Sequence, residues 1–166
     1  MKPLYAPPIY TSTEVTPESV RIAFSQFRAR EPRFATLWSY YIGDHPRTGD
    51  TETWVTANLF KYIVRTIKGY MVGNRPTYHY ADGDADAARI VELFDRQSKW
   101  ELDASLVQDM STYGRAFELV YRGNDGIPRS VLVPPQDAFV AYEDAVGGDS
   151  VFGCVSYRLK RTNGLT

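Results

Sequence analysis

Two stretches of the chain carry side chains that could do acid–base or metal chemistry. In residues 44–50 (DHPRTGD) the carboxylate of Asp44 sits beside His45, a pairing that would suit a general base or a metal ligand. In ADGDADA the acids Asp82, Asp84 and Asp86 alternate in the manner of a divalent-cation loop. Neither pattern is complete. A zinc site wants three or four converging N or S ligands, and the chain holds two His and one Cys in total. An EF-hand loop would need a Gly and a later Glu at fixed positions, which are absent here. The simpler readings are a solvated loop in which Asp44 caps a neighbouring amide, and a helix N-cap at Asp84.

Other reactive groups fare no better. Cys154 lies mid-strand among Phe152, Val155 and Tyr157, the setting of a buried structural thiol. Neither GxxxxGK[ST] nor GxGxxG occurs, and Gly147-Gly148-Asp149 is followed by a strand pattern rather than by a helix whose N-terminus would hold phosphate. Arg158, Lys160 and Arg161 form a small basic group, readable as a phosphate-facing patch or, more simply, as charge protecting an edge strand. The expectation is a protein with no catalytic site, no cofactor and no metal. The competing enzymatic reading is a small hydrolase acting through His45, Asp44 and a distant acid.

Composition narrows the class. The chain has 166 residues, 43% hydrophobic and 23% charged, which is enough apolar material for a folded core. A net charge of −1 argues against a free-standing nucleic-acid binder but leaves room for a passive surface past which DNA moves. Twelve tyrosines are available for the core rim or for protein–protein contact. A single Cys rules out an intrachain disulfide and fits a reducing compartment. No stretch has signal-peptide character or transmembrane length, so the expectation is a soluble protein, intracellular when made.

The positioning elements are organised around NLFKYIVRTIKGYMVGNRPTYHY, residues 58–80. Phe60, Ile63, Val64, Ile67 and Met71 recur at helical spacing and predict one amphipathic helix, capped by Asp50 or Thr51. Gly69, Gly73 and Pro76 end it, and residues 77–80 have strand composition. Before it, residues 1–15 read as an extended proline-containing arm. Thr16-Pro17 starts a helix carrying Val20, Ala23, Phe24 and Phe27, and Pro32 starts another carrying Phe34, Leu37, Trp38 and Tyr41, closed by Gly43. After it, Asp84 caps a helix with Ala87, Ile90, Val91 and Phe94. A break at residues 98–102 leads to a further N-cap at Asp103 and to Leu106, Val107, Met110 and Gly114. From Ala116 the period changes to two: a strand over residues 117–122, the turn GNDG, a strand over 130–133 ended by Pro134-Pro135, then strands over 139–142 and 151–160. The fold class is α+β, with N-terminal helices packed on an antiparallel sheet of hairpin-connected strands, in one domain over residues 16–166. Phe24, Phe27, Leu37, Trp38, Phe60, Ile63, Ile67, Phe94, Leu106 and Phe117 are the expected core.

In this order the segments resemble the portal proteins of tailed bacteriophages, of the type found in long non-contractile-tailed phages. Four elements carry the resemblance. Tyr40, Tyr41, Gly43 and His45 match a YY-G-H element; Gly69, Tyr70, Gly73 and Pro76 match a GY-x-x-G-x-P turn. Tyr113, Gly114, Ala116, Phe117 and Glu118 match a YG-x-A-F-E element entering a hairpin, and Pro135, Phe139 and Tyr142 match a later strand. The resemblance implies a structural component of the ring, usually of twelve subunits, at one capsid vertex, through which DNA is packaged and ejected. Its implied partners are other copies of itself, capsid and scaffold proteins, the terminase motor, head–tail connector proteins and double-stranded DNA passing without sequence specificity, with no membrane. The residues present are similar to the wing, with stem, clip and crown absent. The implied location is the virion, after synthesis in the host cytoplasm. A truncated, portal-derived interaction module is the alternative within the same family.

Overall fold

A computed structural model of the chain describes residues 8–44 and 57–157. His45, Asp50, Thr51, Arg158, Lys160 and Arg161 lie outside the described residues, so the expectations placed on His45 and on the basic group are not addressed by it. The elements, in chain order, are β1 (Ile9–Thr11), α1 (Pro17–Arg28), α2 (Glu31–Ile42), α3 (Leu59–Val72), α4 (Ala85–Arg96), α5 (Lys99–Tyr113), β2 (Phe117–Arg122), β3 (Pro128–Val133), β4 (Ala138–Glu143) and β5 (Ser150–Val155). The class is α+β, as the sequence predicts. The chain divides into two compact units, Met1–Glu31 with Gln136–Thr166, and Pro32–Pro135.

In the first unit, α1 begins where Thr16-Pro17 places it. The Ser19 amide donates to Thr16 Oγ1 (3.1 Å) and the Thr16 amide to Ser19 Oγ (2.8 Å), a reciprocal cap that satisfies two otherwise orphaned donors. Phe27 and Ala23 are buried, as are Ile9, Ala138, Phe139 and Ala141. The Phe139 ring lies 4.9 Å from Phe27, 6.5 Å from Phe24 and 6.2 Å from Phe152. The sheet here differs from the antiparallel one expected. β1, inside the stretch read as an extended arm, pairs parallel with β4, Ile9 opposite Ala141 and Thr11 opposite Glu143. β5 pairs antiparallel on the other side of β4, with a bulge between Ala141 and Tyr142. The expected hairpin chain is also interrupted, because β3 and β4 belong to different sheets. Pro134 and Pro135 lie between them, and two residues without N–H donors cannot extend a ladder.

In the second unit α5 is the central element: α3, α4 and β3 all pack against it. β2 and β3 form a separate two-stranded hairpin with Phe117 opposite Val133 and Leu119 opposite Val131. Asn58, rather than Asp50 or Thr51, caps α3: its Oδ1 accepts from the Lys61 amide (2.9 Å), while its Nδ2 donates to the Tyr41 carbonyl (3.0 Å). The strand expected at residues 77–80 does not form. Those residues are irregular, and Tyr78 instead packs on the Phe94 ring at 5.5 Å, since strand propensity has no effect without a partner ladder. The expected break at 98–102 is also shorter than the sequence suggests. Gln97 and Ser98, the latter at φ +50°, make the turn, and α5 starts at Lys99 with Asp103 inside it. Gly43 (φ +89°) and Gly114 (φ +76°) follow α2 and α5 in the left-handed region, as helix-closing glycines should.

The two glycines at the end of α3 have opposite tolerances. At Gly69 an added Cβ meets nothing, whereas at Gly73 it would collide with the Gly69 carbonyl oxygen, a backbone atom that cannot swing away. Gly69→Ala is therefore expected to stabilise the chain by up to about 1 kcal/mol through helix propensity. Gly73→Ala is expected to destabilise it by more than that, because the helix end must shift. Thermal unfolding of the two variants checks the difference in sign.

Candidate functional site

The first and third motif elements meet at one junction. Tyr41, at the end of α2, stacks on Trp38 (5.4 Å) and lies under Lys61 Nζ (5.7 Å), and Tyr40 approaches Phe60 (6.3 Å). Tyr113, at the end of α5, meets Phe34 edge-on at 6.0 Å. With Asn58 bridging α2 and α3, these residues fasten three helix ends together. No nucleophile–base pair stands among them. Their role is packing, with one cation–π contact and one side-chain bridge.

Electrostatics at this end follow from burial. Asp109 is pushed above the ordinary carboxylate range by desolvation. Tyr113, one turn on, is raised by burial first and then by the nearby Asp109 and Tyr41. A carboxyl with a raised pKa binds its proton more tightly in the folded state. Its charge therefore costs stability above the folded pKa, and the cost vanishes below the unfolded value. Asp109→Asn is expected to raise the melting temperature near neutral pH, the gain shrinking to nothing as pH falls through the ordinary carboxylate range around ~4. Melting curves across that range provide the check.

At the other end of α5 the sequence pattern hides a cluster. Lys99 Nζ binds Asp103 (2.6 Å) and Glu118 (3.2 Å), tying the start of α5 to β2. Desolvation alone would lower Lys99, but hydrogen bonds and charge from Asp103 and Glu118 outweigh it and raise its pKa. Burial likewise works against the Glu118 carboxylate, and bonds from Ser130 and Lys99 reverse that and lower it. Glu118 thus has a structural partner. The i, i+4 spacing of Lys99 and Asp103 is the one signal that could have revealed the pair. Nearby, Trp100 Nε1 donates to the Val72 carbonyl (3.0 Å) and satisfies an orphan acceptor at the end of α3.

The feature that departs furthest from expectation is α3 itself. Val64 is 2% exposed and faces inward, with Phe60 half-buried. Ile63 is 56% exposed, Tyr62 68% and Tyr70 89%, with Leu59, Ile67 and Met71 also open. Of the expected core, Phe27 alone is fully buried. Trp38, Ile63 and Ile67 are exposed, and Phe24, Leu37, Phe60, Phe94, Leu106 and Phe117 are half-buried. Lys61 and Lys68 turn toward the protein, Lys68 Nζ reaching Gln108 Oε1 at 3.2 Å. Lys61 and Lys68 share the inner side with Val64 and Phe60, Arg65 is exposed, and an apolar arc is left in solvent.

A family model described as phage portal protein, SPP1 Gp6-like, matches residues 24–166, which take in all the described helices and strands except β1 and the start of α1. The chain belongs to the phage portal protein family. A comparison with curated proteins found no match. Portal membership gives the chain a structural role in a phage particle, as the sequence resemblance implies. Among the described residues no helix is long and apolar enough to cross a membrane, and no three His, Cys, Asp or Glu side chains converge as for a metal ion.

The remaining candidates of this portal chain fall into place individually. Asp84 caps α4 by accepting from the Ala87 amide (2.9 Å), and Asp86 lies 3.4 Å from Arg89, so these acids have structural work. Cys154, expected buried, is half-buried in β5 opposite Phe139, its thiol pushed up by desolvation. Gly69, Tyr70, Gly73 and Pro76 lie along and just after the end of α3. Pro135 and Phe139 are fully buried, and Tyr142 is partly exposed.

Proposed function

We propose that this portal chain is wing material of the ring at one capsid vertex through which phage DNA is packaged and ejected, a non-catalytic part whose work is to hold position. The observation that carries the reading is the junction in which the motif residues Tyr41 and Tyr113, with Asn58, Lys61 and Phe34, are spent on fastening helix ends and not on lining a cleft. In this reading residues 1–15 are an arm and residues 16–166 a wing-like domain, with stem, clip and crown supplied by other sequence. Its partners are other subunits of the ring, usually twelve, with capsid and scaffold proteins around it and the terminase motor and connector proteins along the axis. DNA passes without sequence-specific contact, consistent with a net charge of −1.

The test is to place an epitope tag on the chain in the phage that encodes it and to image purified heads. Tag density at a single vertex of each head is the expected result. Tag absent from heads, or spread over all vertices, contradicts the reading.

A further inference from the structure

The acidic stretch ADGDADA supplies an N-cap through Asp84 and an ion pair through Asp86, but its Asp82-Gly83 step serves neither. An aspartyl–glycyl step carries a reaction of its own. The glycine amide nitrogen attacks the carboxyl carbon of the aspartate, the N–H proton and the carboxyl OH leave together as water, and a succinimide ring closes. Water then opens the ring at either carbonyl, which gives back aspartate or gives isoaspartate, whose main chain runs through the side-chain carboxyl carbon. No oxidant, reductant or second protein is consumed, and the charge is unchanged. A following glycine makes the attack easiest, because without a Cβ its nitrogen is open and its peptide can rotate.

The described residues contain this step twice, and the fold treats the two oppositely. Asp125-Gly126 lies in the turn between β2 and β3. Its nucleophile is occupied, since the Gly126 amide donates to the Gly123 carbonyl (2.9 Å). Its electrophile is occupied as well: Asp125 Oδ1 accepts from the Ile127 amide (3.1 Å) and Oδ2 from Arg129 Nη2 (2.7 Å). The Ile127 amide foremost, and the Arg129 charge with it, lower the Asp125 pKa and keep the group a carboxylate, which has no OH to lose. A further bond from the Gly123 amide to the Ile127 carbonyl (2.9 Å) fixes the turn.

Asp82-Gly83 has none of these restraints. Both residues are exposed, in a turn closed by the single bond from the Asp84 amide to the Ala81 carbonyl (3.1 Å). Among the described residues nothing bonds the Asp82 carboxylate or accepts from the Gly83 amide. Nothing stands within 4 Å of where a Cβ on Gly83 would lie. The neighbouring acids are not alternatives. Asp84 spends Oδ1 on the Ala87 amide (2.9 Å), Asp86 lies inside α4, and each precedes an alanine, whose Cβ shields the nitrogen.

We infer that Asp82 is a site of spontaneous modification, closing a succinimide with Gly83 and opening to isoaspartate, while Asp125 is protected by its turn. The product lengthens the main chain by a methylene just before the N-cap of α4. The inference is independent of the portal reading, because it depends on this loop alone.

The test ages the 166-residue chain at mildly acidic pH, folded in one arm and unfolded in guanidinium chloride in the other. Circular dichroism verifies both states. Isoaspartate is then read on the separated tryptic peptides 69–89 and 123–129, with an isoaspartyl methyltransferase and labelled S-adenosylmethionine. Asn163-Gly164, outside the described residues, falls in a third peptide, so its deamidation does not interfere. In the folded chain label is expected to rise several-fold faster in 69–89 than in 123–129, with fragmentation placing it at residue 82. In guanidinium the two rates are expected to converge, since the fold makes the difference. Equal labelling of the two peptides in the folded chain, no label above the unaged level, or label at Asp84 or Asp86 would overturn the assignment. So would a difference that persists unchanged in guanidinium.

Discussion

Replacing Phe139 with alanine is expected to cost about 3–5 kcal/mol, the range for emptying a fully buried phenylalanine site. Phe139 is 1% exposed in the middle of β4 and touches the rings of Phe27, Phe24 and Phe152. No neighbour can collapse into the space without leaving α1 or β5, because those rings are held by their own elements. Each lost ring pair adds to the transfer cost. Against a total stability of roughly 5–15 kcal/mol, the unit formed by α1, β1, β4 and β5 should lose its cooperative transition. Urea unfolding followed by far-UV circular dichroism provides the measure. A cost below about 1 kcal/mol would mean that this aromatic cluster is not the core of its unit.

The second large effect is on assembly rather than on folding. From its spacing alone, Ile63 is a core residue whose truncation to alanine should cost about 2–5 kcal/mol. At 56% exposure, Ile63→Ala is now expected to change the stability of the free chain little, within about 0.5 kcal/mol. Ile63→Asp should likewise leave the free chain folded. In the assembled portal the same aspartate would be buried without a partner, at a cost of several kcal/mol, and each ~1.4 kcal/mol is a factor of ten. Association should weaken roughly 100-fold or more, which sedimentation and head yield both read. A folded Ile63→Asp chain that still forms normal heads would place the arc outside any interface.

Why the sequence conveyed the helices well and this face badly has a physical answer. Thr16-Pro17, Asp84, Gly43 and Gly114 act through local chemistry, caps and left-handed closure, so their elements lie where the residues say. The GNDG turn and the period-two strands around it are equally local. α3 is different. Leu59, Phe60, Tyr62, Ile63, Val64, Ile67, Tyr70, Met71 and Val72 are apolar or aromatic over more than half its circumference, and periodicity cannot say which arc meets α5. Parallel pairing of β1 with β4 joins residues about 130 positions apart and leaves no local trace. The break expected from Ser98 is shorter than its composition suggests because a left-handed non-glycine residue closes it; the Asn58 cap of α3 is a local i, i+3 bond, whereas Trp100 reaches Val72 from another element. At the candidate site, the motif tyrosines could be read from the sequence, but the contacts of Tyr41 with Asn58 and Lys61 and of Tyr113 with Phe34 could not.

The central claim is that this portal chain folds with an apolar helix face open and covers it only on assembly. Hydroxyl-radical footprinting of Tyr62, Tyr70 and Met71, in the free chain and in purified heads, measures that directly. All three should be heavily oxidised in the free chain, and Tyr62 and Tyr70 strongly protected in heads. Equal oxidation of these tyrosines in both states would contradict the account.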